Sequence, residues 1–296
     1  MTSPAYDEFG LLKENASEFE IPWRDPAVDR REVGLSDGRS VSAVVWGAGP
    51  PELVLIHGGA QNAHTWDTVA LALDRPLVAI DLPGHGHSSW KDDGDYGPQS
   101  MAADVAVAMA ELAPAADVLV GMSLGGLTSI PLAAAHPELV RRLVLVDVTP
   151  GVNREKASAV IAFTSGPERF ASFDEILDRT VKYNPQRSLS SLRRGVLHNA
   201  REEADGSWVW RYDRRRREGG RPDLGVLWDD LSAVGVPLLL VRGGDSPVVD
   251  DDDVAELRRR QPSARVEVVA GAGHSIQGDK PLELARILEE FVGPQG

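Results

Sequence analysis

Short, continuous apolar segments separated by stretches of helical length are the feature that most constrains the fold of this 296-residue chain. Five of them are rich in Leu, Val and Ile without polar alternation: 53–57, 77–81, 118–122, 143–147 and 238–242. Such segments are typical of parallel strands that are covered on both faces. The alternating segment 40–47 and the segment 265–270 are further predicted strands. We therefore predict an α/β fold, with a mostly parallel central sheet flanked by helices.

One long stretch interrupts this alternation. The predicted helices are 64–74, 100–113, 124–136, 251–260 and a terminal one from Leu282 to Phe291. Between Asp147 and Leu238, however, no strong strand pattern occurs, and a structureless loop of that length is unusual in a compact domain. We predict instead a mainly helical cap, inserted after the strand that ends at Asp147, over the sheet edge where such folds bind ligands.

These patterns divide the chain into three parts. The core comprises 29–149 and 233–296, and the cap comprises 150–232. Residues 1–28 form an N-terminal extension for which the sequence predicts no role.

The sequence Gly121-Met122-Ser123-Leu124-Gly125 has the form G-x-S-x-G and lies between a predicted strand and a predicted helix. In that context the serine occupies a sharp turn, and the flanking positions need residues without bulky side chains. The turn exposes the hydroxyl at the N-terminal end of a helix, whose dipole favours an oxyanion. Ser123 is therefore the candidate nucleophile. The alternative is a glycine-rich turn with an incidental serine.

A serine hydroxyl is a poor nucleophile without a base. Of the seven histidines, His274 follows the last predicted strand and precedes the final helix. This position gives the chain order nucleophile, acid, histidine that accompanies a serine on such a turn. We predict His274 as the base, and structural roles for His64, His136 and His198.

The loop after the segment 53–57 supplies the second half of a predicted oxyanion hole. It begins His57-Gly58-Gly59, and its glycines let the backbone approach a ligand closely. The candidate donors are the N–H of Leu124 and the N–H of Gly59, with Ala60 as the alternative to Gly59. His57 is predicted to pack and to form hydrogen bonds.

Composition excludes several classes of function. The chain has no cysteine, which removes disulfides, thiolate metal sites and a cysteine nucleophile. A net charge of −14 argues against nucleic acid, since phosphate binding requires clustered cations. The pair His85 and His87 is too small a set to predict a metal, so no metal or cofactor is expected. Neither a signal peptide in 1–28 nor a membrane-spanning segment is recognisable, which predicts a cytoplasmic protein.

Five segments in this order resemble the α/β-hydrolase superfamily from about residue 30 onward: LVLIHGG, DLPGHGHS, GMSLGG, HPELVRRLVLVD and GAGH. A narrower resemblance is to small capped acyl esterases of bacteria and mitochondria. It is carried by Val146-Asp147-Val148-Thr149-Pro150, by residues 205–211 of the cap and by residues 242–247.

The acid that would orient His274 has two candidates. Many α/β-hydrolases carry it in a G-x-x-D pattern after the next-to-last strand, but here Ser246 occupies that slot and Asp245 lies one residue early. The narrower resemblance implies an acid after the strand that ends LVLVD, which is Asp147. A carboxylate there could hold the imidazole tautomer and stabilise the imidazolium. We favour Asp147, with Asp245 as the alternative.

Together these residues predict a serine hydrolase that cleaves a carboxylic ester of a small or medium apolar acyl group through an acyl-enzyme on Ser123. Carbon–carbon bond hydrolysis, thioester hydrolysis and lactone hydrolysis use the same triad and are the alternatives. A non-catalytic sensor of a small ligand is the rival from another class. Trp208 and Trp210 are candidate substrate contacts, unless they only pack inside the cap. The sequence does not specify the oligomeric state.

Overall fold

The computed structural model describes residues 6–215 and 223–293. Its helices are α1 (Leu12–Glu18), α2 (Asp67–Leu73), α3 (Pro98–Leu112), α4 (Leu124–Ala135), α5 (Ser158–Thr164), α6 (Phe173–Tyr183), α7 (Leu189–Asn199), α8 (Leu227–Ala233), α9 (Asp251–Arg260), α10 (Ile276–Asp279) and α11 (Pro281–Val292). Two 3-10 helices cover Ala63–Trp66 and Leu224–Val226.

The strands are β1 (Val28–Gly34), β2 (Ser40–Trp46), β3 (Leu53–Ile56), β4 (Leu77–Ile80), β5 (Val118–Met122), β6 (Leu143–Val146), β7 (Arg169–Phe170), β8 (Ala200–Glu202), β9 (Trp208–Trp210), β10 (Leu238–Gly243) and β11 (Arg265–Val269). Eight of them form one sheet in the order β1-β2-β4-β3-β5-β6-β10-β11. Only the pairs β1–β2 and β2–β4 of this sheet are antiparallel. This is the predicted α/β architecture, a mostly parallel central sheet flanked by helices.

The continuous apolar segments are explained by the two faces of the sheet. In β3, Val54 and Ile56 belong to the apolar layer under α3, α4 and α8, whereas Leu53 and Leu55 belong to the layer under α2 and α11. All four side chains are completely buried. A strand covered on both faces needs an apolar residue at every position.

Strand β1 escaped prediction because it lies at the edge of the sheet. Its sequence is VDRREVG, and only Val33 is buried. Charged residues are common on edge strands, where they oppose pairing with other chains.

The cap between β6 and β10 contains helices α5, α6 and α7, and the chain returns to the core through α8. It also contains a small antiparallel sheet in the order β7-β9-β8, which the sequence did not predict because each strand is only two or three residues long. Residues 216–222 of the predicted cap lie outside the described residues, as do residues 1–5 of the predicted extension.

The N-terminal extension packs across both parts of the molecule. Helix α1 contacts α2 of the core, and the Asn15 side chain accepts hydrogen bonds from Thr68 of α2 and from Arg194 of α7 at 3.2 and 2.9 Å. The segment therefore joins the cap to the core. In the described parts of the chain, no helix has the length and apolar composition needed to cross a membrane.

Candidate active site

Ser123 lies at the junction between β5 and α4. Its backbone has φ 50° and ψ −117°, a combination that a residue with a side chain adopts only when its surroundings enforce it. The enforcing contact is close packing of the turn on the sheet. A Cβ at Gly125 would lie 2.4 Å from the carbonyl oxygen of Ile56, so only glycine fits there. This turn holds the Ser123 hydroxyl clear of the sheet.

His274 lies in the loop between β11 and α10, as its position in the sequence predicts. Its Nε2 lies 3.0 Å from Ser123 Oγ, and its Nδ1 lies 2.8 Å from Asp147 Oδ2. The three side chains therefore form a continuous chain of hydrogen bonds. With Nδ1–H donating to the carboxylate, Nε2 is left as the acceptor for the serine proton.

Asp147 follows β6 directly, and its carboxylate is completely buried. Oδ1 accepts from the N–H of Gly243 at 2.9 Å, and Oδ2 accepts from the hydroxyl of Ser246 at 2.5 Å as well as from His274. Hydrogen bonds of this kind stabilise an ionised carboxylate inside a protein. The residue has φ 50°, and its side chain contacts β10 and the histidine loop.

The alternative acid is placed differently. Asp245 is exposed, and within the described residues its carboxylate forms no hydrogen bond to His274. Its backbone N–H donates to Ala272 O at 2.9 Å, which fixes the turn and not the imidazole. The serine in the G-x-x-D slot, Ser246, is a functional candidate that sequence reasoning missed. Its hydroxyl donates to Asp147 from the last position of the G-x-x-D slot.

The glycine-rich loop after β3 lies beside the serine. The Cα of Gly59 is close enough to Leu124 that an added Cβ would contact its side chain at 3.6 Å. As the first residue of α4, Leu124 has no acceptor for its N–H within the helix. Across the described ranges, no hydrogen bond is assigned to the N–H of Gly59 or of Ala60. These donors remain available to a ligand atom beside Ser123.

His57 anchors that loop. Its Nε2 accepts from the N–H of Leu82 at 2.9 Å, and its Nδ1 donates to Gly58 O at 2.7 Å. Complete burial, aided by the neighbouring His85, lowers the pKa of His57 to about 3, so the ring is neutral. Both ring nitrogens are occupied, which suits the packing and hydrogen-bonding role predicted for this residue.

A cavity of about 390 Å³ separates the cap from the core and contains Ser123 and His274. Its walls come from the loop after β3, from α5, α6 and α7 of the cap and from the α10 region, with Asn15 and Phe19 of the N-terminal extension. The volume is typical of sites for small molecules. Many lining residues are polar, including Gln61, Thr180 and Gln277, so the cavity is more polar than the cap aromatics alone suggest.

The two candidate tryptophans occupy different positions. Trp210 lines the cavity and packs edge-on against Phe163 with ring centroids 5.7 Å apart. Trp208 packs edge-on against Phe173 inside the cap, with ring centroids 5.0 Å apart. Trp208 is therefore part of the cap interior, and Trp210 is the one that a ligand in the cavity can reach.

A second polar cluster lies against the cavity wall, at the contact of core, cap and N-terminal extension. His64 donates to Asp67 at 3.0 Å and to Glu8 at 3.0 Å, and its ring stacks on His198 at 3.9 Å. Tyr6 lies 2.8 Å from Nδ1 of His198. Burial opposes protonation of His64, but the charge of Asp67 and hydrogen bonds to Asp67 and Glu8 raise its pKa to about 9.

His64, Asp67 and His198 are also the one group of three potential metal ligands in the described residues. The rings of His64 and His198 are nearly parallel, with an interplanar angle of 12°. Nitrogen lone pairs lie in the ring plane, so two stacked rings point side by side and not at a shared ion. Burial and the positive charge of His64 lower the pKa of His198 well below its ordinary value. The cluster therefore pairs a charged imidazole, His64, with a neutral one, His198, stacked on it.

A serine on a strand–turn–helix bend, hydrogen-bonded to a histidine and a buried aspartate on a mostly parallel sheet, defines an α/β-hydrolase site. The sequence model of the alpha/beta hydrolase family matches residues 53–287, and the chain belongs to that family.

Individual relatives agree. The chain is 47% identical to esterase Rv0045c of Mycobacterium tuberculosis, over 95% of this chain and 94% of that protein. It is 30% identical to the sn-1-specific diacylglycerol lipase ABHD11 of Xenopus laevis, over 82% and 80%. A solved structure of the M. tuberculosis esterase matches with a TM-score of 0.88 at 46% identity, covering 98% of this chain and 99% of that one. The predicted resemblance is confirmed.

Proposed function

We propose that this chain is a serine esterase in which Ser123 is the nucleophile, His274 the general base and Asp147 the acid that orients it. The observation that carries the proposal is the hydrogen-bonded series Ser123–His274–Asp147, with distances of 3.0 and 2.8 Å. The esterase and lipase named among its relatives support ester cleavage as the reaction.

In the first step, Ser123 Oγ attacks the carbonyl carbon of the ester while His274 Nε2 takes the hydroxyl proton. The resulting imidazolium is stabilised by the carboxylate of Asp147, which Gly243 and Ser246 hold in place by donating hydrogen bonds to it. The tetrahedral intermediate then collapses. The bond to the alcohol oxygen breaks, and His274 gives its proton to the departing alcohol.

The negative charge of that intermediate resides on the former carbonyl oxygen. The N–H groups of Leu124 and Gly59 are the donors that we assign to it, with Ala60 as the alternative to Gly59. A fixed donor of this kind is worth about 3 kcal/mol to the transition state, because it is already oriented before charge develops.

In the second step, water repeats the attack on the acyl-enzyme. His274 takes one proton from the water as its oxygen bonds to the acyl carbon. The bond to Ser123 Oγ then breaks, and the proton returns to the serine. The carboxylic acid leaves and the enzyme is regenerated.

The decisive experiment combines covalent labelling with product analysis. A fluorophosphonate probe should label the parent at Ser123 and leave Ser123→Ala unlabelled, and esters of graded acyl length should be cleaved by the parent alone. An unlabelled but folded parent would favour a non-catalytic sensor. Faster turnover of a dienoic diketone, a thioester or a lactone than of any ester would transfer the proposal to that reaction. The cytoplasmic location stays a prediction.

A further inference from the structure

Arg187 is a cap residue whose guanidinium reaches the core beside the candidate base. It lies in the loop between α6 and α7. A Cβ added to Gly278 would lie 2.7 Å from Arg187 Cζ and Nη1. Gly278 belongs to α10, which begins two residues after His274. The missing side chain at Gly278 therefore makes room for the guanidinium.

Within residues 6–215 and 223–293, no carboxylate oxygen pairs with this guanidinium within 4 Å, and one of its donors is unused. Nη2 donates to Ser191 at 2.8 Å, whereas Nε is enclosed and forms no hydrogen bond. Arg187 is half-buried. Arginines that are withdrawn from water normally pair with carboxylates, because an isolated buried cation is costly. Burial lowers the pKa of Arg187, with the charge of Asp279 acting against that effect.

A neighbouring arginine provides the contrast. Arg194 of α7 lies at the same cavity and is buried, whereas Arg187 is half-buried. Arg194 pairs with Glu18 at 2.5 Å and donates to Asn15 at 2.9 Å. The fold can therefore neutralise an arginine in this region. Arg187 has no such carboxylate partner among the described residues.

The acid whose charge acts most strongly on Arg187, Asp279, forms a different contact. Asp279 accepts a hydrogen bond from the N–H of Gly273 at 3.0 Å, which braces the loop that carries His274. Burial raises the pKa of Asp279, against the influence of Arg187. Asp279 therefore tempers the positive charge of Arg187 without forming an ion pair with it in the described residues.

Arg187, Ser123 and His274 line the same cavity. A cation without a carboxylate partner in the described residues that lines the same cavity as a candidate nucleophile can bind an anion on the molecule being cleaved. The planar guanidinium suits a carboxylate, which it can bind through two parallel hydrogen bonds. A phosphate dianion fits less well, because Asp245 and Asp279 line the cavity too and oppose a second negative charge.

We propose that Arg187 binds a free carboxylate of the substrate, so that the preferred substrate is a half-ester of a dicarboxylic acid. This inference rests on the proposed esterase function and deepens it. It changes the expected acyl group from purely apolar to one with an anionic end held away from Ser123.

The test compares pairs of substrates of equal length. Mono-4-nitrophenyl esters of adipic, pimelic and suberic acid are set against the 4-nitrophenyl esters of hexanoic, heptanoic and octanoic acid. Shorter half-esters are left out because their carboxylate attacks the ester intramolecularly. At the best length, the parent should prefer the carboxylate ester by about 10- to 100-fold in kcat/KM, the effect of a charge-assisted pair in a partly closed site.

Arg187→Met should abolish that preference and change cleavage of the neutral ester less than about threefold, since the apolar part of the site is retained. Gly278→Ala should reduce the preference as well, because the added methyl displaces the guanidinium without removing its charge. Arg193→Met is the matched control. Arg193 is on the same helix as Arg194, is more than a third exposed and should leave both rates unchanged.

The inference is overturned if the parent shows no preference for any carboxylate ester, or if Arg187→Met slows both esters equally. A preference for a phosphonate analogue over the carboxylate ester also overturns it. In each case fluorophosphonate labelling of Ser123 separates the two proposals. A labelled parent without anion preference leaves the esterase intact, whereas an unlabelled one removes both.

Discussion

The sheet and the cap are held in different ways. The strands of the core bury both faces against helices, and Asp147 and Ser123 are fixed where two of those strands end. The cap has a small aromatic interior of its own and meets the core largely through polar contacts. Asn199 donates to Ala60 O at 2.6 Å, and Asn62 donates to His198 O at 3.0 Å.

We infer from this difference that the core fixes the candidate reacting groups and that the cap selects the molecules that reach them. Close packing leaves a strand little freedom, so a side chain at its end keeps a constant geometry. Polar contacts between cap and core can be exchanged without rebuilding an apolar layer. We expect the reacting groups to be intolerant of change, and the cap to tune which molecule reaches them.

The largest effect should come from Ser123→Ala. Removal of the nucleophile eliminates the acyl-enzyme, and kcat should fall by about 10⁵- to 10⁶-fold, with the remainder supplied by the oxyanion donors and binding. Turnover of a 4-nitrophenyl ester measures it. Circular dichroism should show unchanged folding, since the serine contributes no buried packing. Activity close to that of the parent would show that Ser123 is not the nucleophile.

Asp147→Asn should be next, with kcat lowered by about 10⁴-fold, because an amide no longer stabilises the imidazolium and favours the wrong tautomer. The matched variant Asp245→Asn should retain activity within a few-fold. The measurement is kcat for both variants with the same ester. The reverse ranking would show that the exposed acid, and not the buried one, serves His274.

At the junction of cap and core, Arg194→Met should lower the free energy of unfolding by roughly 1–3 kcal/mol, the range for breaking a buried polar network. It removes contacts from α7 to Asn15 and to Glu18 of the N-terminal extension. Denaturant unfolding followed by tryptophan fluorescence checks the stability, and ester kinetics should show a larger change in KM than in kcat. Arg193→Met should stay within about 0.5 kcal/mol of the parent. If both variants lost the same free energy of unfolding, the contacts of Arg194 with Asn15 and Glu18 would contribute no particular stability.

The smallest effect concerns pH. The pKa of His64 is raised to about 9 in the folded protein from an ordinary value of 6.5. Its contribution to stability is therefore present in full below pH 6.5 and is lost as the pH rises through about 9. The difference in unfolding free energy between the parent and His64→Asn should shrink across that window. A difference that grows with pH would mean that His64 is neutral in the fold.

The candidate serine and histidine were recognisable in the sequence because each depends on local features. The turn at Ser123 needs glycines at fixed positions, and the continuous apolar segments state which strands are buried on both faces. The position of His274 after the last strand follows from chain order. The prediction of an ester-cleaving hydrolase is confirmed at the level of the class.

Other features depend on residues that are far apart in sequence. Sequence reasoning favoured Asp147 but kept Asp245 as the alternative, since a shift of one residue changes where a side chain points. Ser246 donates to a carboxylate that comes from a different strand. The N-terminal extension, without a derivable role, supplies Tyr6, Glu8 and Asn15 to the junction of cap and core.

By itself, the sequence determined the architecture and pointed to the candidate pair Ser123 and His274, because strand burial and tight turns depend on neighbouring residues. Only the tertiary structure decided which aspartate faces the imidazole, how polar the cavity is and which arginine has no partner. Those properties arise where separate elements meet, and the packing angles and distances that bring them together are set by the whole fold.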